Sequence, residues 1–285
     1  MTERFAETTR RLDSLRQLDV VVTAMRGIAA SRAQQARALV PGVRAYAAVI
    51  GEAIGQALAL AEPGDQQPGR APSGRAVVLF AAEQGFAGAF NDRMLAALDG
   101  VPQPRDVFLI GTRGATLAAE RHIRPQFQAA MVTHANLVPP LAGRIAEALY
   151  DWLAAHPVQH VDLIVPTWSA SGGVLAAARP LLPFDFGRFA APARAQPPLV
   201  TLSPARLLAQ LAQEYVFAEL CEAALSAFAA ENEARMAAML AAKSHLDDME
   251  TELVSLAKQI RQEEITAEVV ELASGAIGAA IRIAR

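Results

Sequence analysis

The side chains able to do chemistry are few and poorly placed for it. Asp247 with Asp248 and Glu263 with Glu264 are acid pairs, and two close carboxylates can divide acid and base roles. Adjacent residues of a helix do not share a face, however, so a solvated helix surface accounts for both pairs. Five histidines, at 122, 134, 156, 160 and 245, show no helical pairing around an acid, and Cys221 is the single cysteine. Neither a zinc centre nor an internal disulfide follows from such a set. Gly85 and Gly88, and again Gly111 and Gly114, each follow a short apolar run. A phosphate cradle would stand at such places, but neither group completes a dinucleotide or P-loop motif. Met236, Met239 and Met249 have the spacing of a packing stripe rather than of a cofactor box. These residues predict no catalytic group, no cofactor and no metal.

The elements around them are mostly helical. Of 285 residues, 53% are hydrophobic, only 6% are aromatic and 19% are charged. The chain is apolar enough to fold, and its alanine richness suits thin, closely packed helices. Leu12, Leu15, Leu18, Val22, Met25 and Ala29 fall at spacings of three and four, with no proline before Pro41; they predict one long amphipathic helix over residues 1–62. Proline, glycine, glutamine and serine at 63–74 break it. From 75 to 198 short apolar runs (76–82, 107–110, 161–165) alternate with helix-capable stretches such as 141–155, the pattern of a small Rossmann-like α/β domain. After a second proline-rich stretch at 192–198, residues 203–285 contain no proline beyond Pro204 and no glycine before Gly275, which predicts one very long helix.

Leu246, Met249, Leu253, Leu256 and Ile260 are spaced 3, 4, 3, 4, a heptad seam whose partner is the first helix. The fold class expected is therefore mixed α and β: a long antiparallel two-helix coiled coil from both termini, plus the α/β domain. At about 1.5 Å per residue the helices would run roughly 80 and 120 Å. Charge supports the pairing. Residues 1–50 carry eight arginines against four acids, and residues 203–285 carry seven basic residues against thirteen acids, so net charges of +4 and −6 face each other within an overall −3. That balance gives no footing for nucleic acid. No uninterrupted apolar run approaches a membrane span of ~20 residues, and no signal peptide opens the chain, which predicts a soluble or peripheral protein. The small apolar residues from 273 to 285 would be exposed on an overhanging tip unless a socket encloses them.

Three blocks resemble the F-type ATP synthase gamma subunit family over nearly the whole length. The first is RRLDSL from Arg10 with TAMRGIAASR at 23–32, where Met25 and Arg32 fit the family pattern; Gly27 stands in place of a large apolar residue, and Val22 in place of threonine. The second is AVVLFAAEQGFAGAFND from Ala76, followed by FLIGTRG from Phe108, with Glu83 and Gln84 where the family has aspartate and arginine. EYVFAELCEAAL, ENEARMAAMLAAK and IRQEEITAEVVELASGA, from Glu214, Glu231 and Ile260, form the third.

The resemblance implies a non-catalytic rotor, the central stalk, coupling ion flow through a membrane ring to ATP synthesis or hydrolysis. Its implied partners are a ring of three alpha and three beta subunits, an epsilon subunit and the membrane c-ring, at the cytoplasmic side of a cell inner membrane. Carried over residue by residue, it implies coupling roles for Arg235, Gln262, Thr266 and Glu268, with Met25 and Arg32 on the first helix. Composition and heptads alone would also permit a coiled-coil adaptor or scaffold. A nucleotide-using enzyme built on the α/β domain would need the missing phosphate motif.

Overall fold

The computed structural model describes residues 3–60, 74–103, 105–156, 160–189 and 199–283. The breaker stretches expected at 63–74 and 192–198 fall almost wholly outside these, as do the side chains of the apolar tip from 274 onward. Two helices dominate: α1, Glu3–Leu60, and α5, Pro204–Ile283. Between them lie β1 (Arg75–Phe80), α2 (Phe90–Ala96), β2 (Asp106–Ile110), α3 (Thr112–Glu120), β3 (Phe127–Ala129), α4 (Val138–Ala155), β4 (His160–Ser169) and β5 (Gly173–Leu182). Contacts divide the chain into two compact units, Met1–Gly27 with Ala237–Arg285, and Ile28–Met236.

In the first unit α1 and α5 run antiparallel, since Arg16 pairs with Glu250 at 3.0 Å and Asp19 with Lys243 at 2.7 Å. On α1 the inward line is Thr8, Leu12, Leu15, Asp19 and Val22, a strict heptad, while Leu18 is 52% exposed and leaves the stripe expected for it. The α5 seam is likewise rotated from expectation. Leu246, Leu253, Ala257 and Ile260 turn inward, whereas Met249 and Leu256 lie at the edge, 36% and 40% exposed. The small Ala257 lets the helix axes approach, and Arg16 with Glu250 bridges the exposed edge beside it. Apolar size alone therefore did not locate the seam.

The second unit is built on a five-stranded sheet of order β3-β2-β1-β4-β5, parallel except for the antiparallel edge strand β5. Both faces of its centre are covered, which is why β1 and β2 read as continuous apolar runs. Val77 and Leu79 pack against Phe90 and Met94 of α2 and Ala118 of α3. Val78 and Phe80 pack against Leu141, Ile145 and Leu149 of α4, and against Val216, Leu220 and Phe228 of α5. In this unit also α1 and α5 run antiparallel: Arg37 pairs with Glu233, Arg44 with Glu222 at 2.9 Å, and the Tyr46 hydroxyl donates to Glu214 at 2.6 Å. In each unit, then, arginines of α1 meet glutamates of α5, as the opposed charges of the two segments predict.

Helix α1 passes through Pro41 and Gly42 without ending. A proline in a helix interior costs about 3 kcal/mol and a glycine about 1 kcal/mol. The flanking Val40 and Val43 pack on the core and offset that cost. By length and composition α1 also meets the measure of a membrane-crossing helix, yet its Ile54 is wholly buried with Phe189 and Tyr215 of the same unit.

Candidate functional site

In a sheet of this order the connections part on either side of β1, between β1 and β4, and ligands of doubly wound proteins bind at the carboxyl ends of the strands there. Here that place is filled by the chain itself. Ala230 and Ala234 of α5 lie in the cluster of Leu79, Ala81 and Ala82, and α5 sets two charged side chains against the turn after β1. The Glu231 carboxylate accepts from the amides of Glu83 and Gln84 at 3.4 and 3.5 Å. Arg235 donates to Gly85 O at 3.1 Å and Gln84 O at 3.2 Å, to Asn232 Oδ1 at 3.2 Å and to Glu231 Oε1 at 2.5 Å. Both are buried, Glu231 at 4% and Arg235 at 5% exposure. Burial pushes the Glu231 carboxyl above the usual range, with Arg235 and the two amides pulling it back.

The second glycine turn is closed in the same way. Glu83 accepts from the Thr112 amide at 2.9 Å, the Thr112 hydroxyl at 2.8 Å and the Met131 amide at 2.8 Å. A carboxylate thus sits at the N-terminus of α3, where amides and helix dipole favour an anion. Gly111 has φ +114°, and a side chain there would overlap the carbonyl oxygen of Ala81. Neither glycine turn completes a phosphate motif in the sequence, and in the structure each holds one of the protein's own carboxylates. Among the described residues no group of three or more His, Cys, Asp or Glu side chains gathers as a metal site would.

The six residues singled out from the sequence fall in different settings. Gln262, Thr266 and Glu268 are exposed on α5, and the Thr266 hydroxyl donates to the Gln262 carbonyl oxygen at 2.8 Å. Gln262 and Thr266 share a face, while Glu268, two residues further on, points away from it. Met25 is half-buried on α1 in the first unit, and Arg32 half-buried on α1 in the second. Arg235, by contrast, faces its own α/β domain. Sequence reasoning missed Glu231 and Glu83. The i, i+4 spacing of Glu231 and Arg235 was a usable signal for the first; nothing local marked Glu83, whose partners lie 29 and 48 residues away.

Comparison with known proteins places this geometry. Residues 4–278 match the family model described as ATP synthase. ATP synthase gamma chains of Symbiobacterium thermophilum and Frankia casuarinae are 26% and 27% identical, each over 97% of this chain and 98% of the relative. Among solved structures, a chain of the Euglena gracilis mitochondrial ATP synthase rotor superimposes with a TM-score of 0.62 at 12% identity, covering 92% of this chain and 99% of the other. A chain from the OSCP/F1/c-ring assembly of the same enzyme gives 0.64 at 11% identity, covering 96% and 94%. These two likenesses bear on fold. Together with the family match over nearly the full length, they establish that this chain belongs to the ATP synthase family, among its gamma chains.

Proposed function

We propose that this chain is the rotor of an F-type ATP synthase central stalk, coupling ion flow through a membrane c-ring to ATP synthesis or hydrolysis on alpha and beta subunits. It performs no bond chemistry of its own. Its partners are the ring of three alpha and three beta subunits, the epsilon subunit and the c-ring, and it is held through them at the cytoplasmic side of a cell inner membrane. The observation that carries this reading is the pairing of α5 with α1 in antiparallel register in each unit. Two helices locked by interdigitating side chains resist twist and bending better than one. Within a ring of three equivalent sites, a single asymmetric shaft touches each site differently, so turning it biases which site is open and which is closed.

The filled crevice at the end of β1 supports a non-catalytic role, because the place where this architecture would bind a nucleotide is taken by α5. The exposed Gln262, Thr266 and Glu268 suit contacts that form and break as the shaft turns, with Met25 and Arg32 contributing from α1. Arg235 acts in coupling from inside, through the turn it holds. The test is reconstitution. Mixed with alpha and beta subunits, this chain is expected to yield a stable complex of three, three and one, whose ATPase activity depends on adding it. Failure to co-purify, or activity indifferent to its presence, overturns the reading.

A further inference from the structure

The turn after β1 is held more firmly than a surface loop requires. Six of its backbone polar groups are engaged: Ala82 N donates to Asn91 Oδ1 at 2.7 Å, Ala82 O accepts from Gly114 N at 3.1 Å, Glu83 and Gln84 N reach Glu231, and Gln84 and Gly85 O accept from Arg235. Phe86 in the same turn has φ +61° and is 69% exposed. A non-glycine residue in the left-handed region persists only where its surroundings impose it. Arg235 also occupies the last turn of α5 that belongs to the α/β unit, which ends at Met236.

From this geometry we infer that Glu231, Arg235 and Asn232 form a torsional joint, positioning residues that fix the stretch of α5 within the second unit, residues 204–236, to the turn after β1. An apolar contact between smooth alanine faces can slip, because dispersion has little angular preference. The guanidinium fork of Arg235 is directional: it bonds two carbonyls of the turn together with Asn232 Oδ1 and the Glu231 carboxylate of its own helix, which lysine cannot copy. Ala230 and Ala234 on the same side of α5 bring the helix close enough for the fork to reach. A buried charge is costly unless fully bonded, so losing one partner leaves another group of this locus unsatisfied in the interior. The inference rests on the rotor reading and assigns Arg235 a task inside the chain.

The experiment uses the complete synthase in vesicles, with coupled ATP synthesis compared to ATP hydrolysis by the same preparation. Arg235→Lys and Glu231→Gln are expected to lower the ratio of synthesis to hydrolysis about fivefold while hydrolysis stays within about twofold. Arg121→Gln, which breaks the exposed Arg121–Asp92 pair elsewhere in the α/β domain, is expected to leave the ratio unchanged. Asn232→Ala removes one strut and leaves the ion pair; it is expected to lower the ratio about twofold, and it decides alone if the other variants do not assemble. Amide exchange at residues 83–86 reports whether the turn has loosened. A loosened turn with an unchanged ratio overturns the joint. Wild-type protein that never assembles with alpha and beta subunits overturns instead the rotor reading beneath it.

Discussion

The Glu83 carboxylate receives both the amide and the hydroxyl of Thr112, at 2.9 and 2.8 Å, so the first turn of α3 is capped by a residue from the end of another strand. Its further bond from the Met131 amide ties the ends of β1, β2 and β3 to one group. Removing such an acceptor leaves two amides and a hydroxyl short of a partner. Glu83→Ala is expected to cost about 2–3 kcal/mol, read as a lower denaturant midpoint, with Glu83→Gln between it and wild type.

Glycines in the two units make opposite expectations. Gly27 lies within α1, and an added Cβ would meet nothing within 4 Å. Gly27→Ala is expected to raise stability by about 0.5–1 kcal/mol, since a helical glycine gives up more backbone freedom on folding than alanine does. Gly111→Ala is expected to lower it by more than that gain, because φ +114° and the Ala81 carbonyl both oppose a side chain. Equal shifts of the two thermal midpoints in one direction would contradict this.

Alkaline stability follows from four acids held in their neutral forms. Burial pushes Tyr150 and Tyr215 to about 12 and Cys221 to about 11, and the bond to Glu214 pushes Tyr46 to about 12. Each native value lies above the ordinary one, so the unfolded chain releases these protons first as pH rises. Their contribution is complete below about pH 9 and is lost between about pH 9 and 12. Thermal melting from pH 8 to 11 should show a steady fall. Among the described residues the buried Tyr150 hydroxyl has no hydrogen-bond partner, so Tyr150→Phe is expected to be neutral or slightly stabilising near pH 7 and to flatten part of that fall.

Much of this arrangement was legible in the chain. The two long terminal helices and the α/β fold between them were legible in the periodicity, and the opposed charges of the ends anticipated a pairing that Arg16 with Glu250 and Arg44 with Glu222 carry out. The full inward line was not, because Leu256 is larger and more apolar than the Ala257 that displaces it. What decides there is the partner helix, which no local pattern contains. The same holds for Glu231 and Glu83. Each reads as a surface acid until the fold brings backbone amides to it from far along the chain.

On the exposed face of α5, Gln262 and Thr266 stand together, the Thr266 hydroxyl donating to the Gln262 carbonyl oxygen. Replacing both with alanine is expected to leave folding and assembly intact, since exposed polar substitutions cost within about 0.5 kcal/mol. Coupled ATP synthesis in vesicles is expected to fall about fivefold. Unchanged synthesis would remove these residues from the coupling contacts.

A rotor must turn as one piece inside a fixed ring. With the alpha and beta subunits anchored to a surface and a bead attached to the α/β domain of this chain, ATP should drive rotation in one direction, pausing at thirds of a turn because the ring offers three equivalent sites. A complex that hydrolyses ATP while the bead shows only undirected Brownian motion would contradict the assignment of this chain as the shaft.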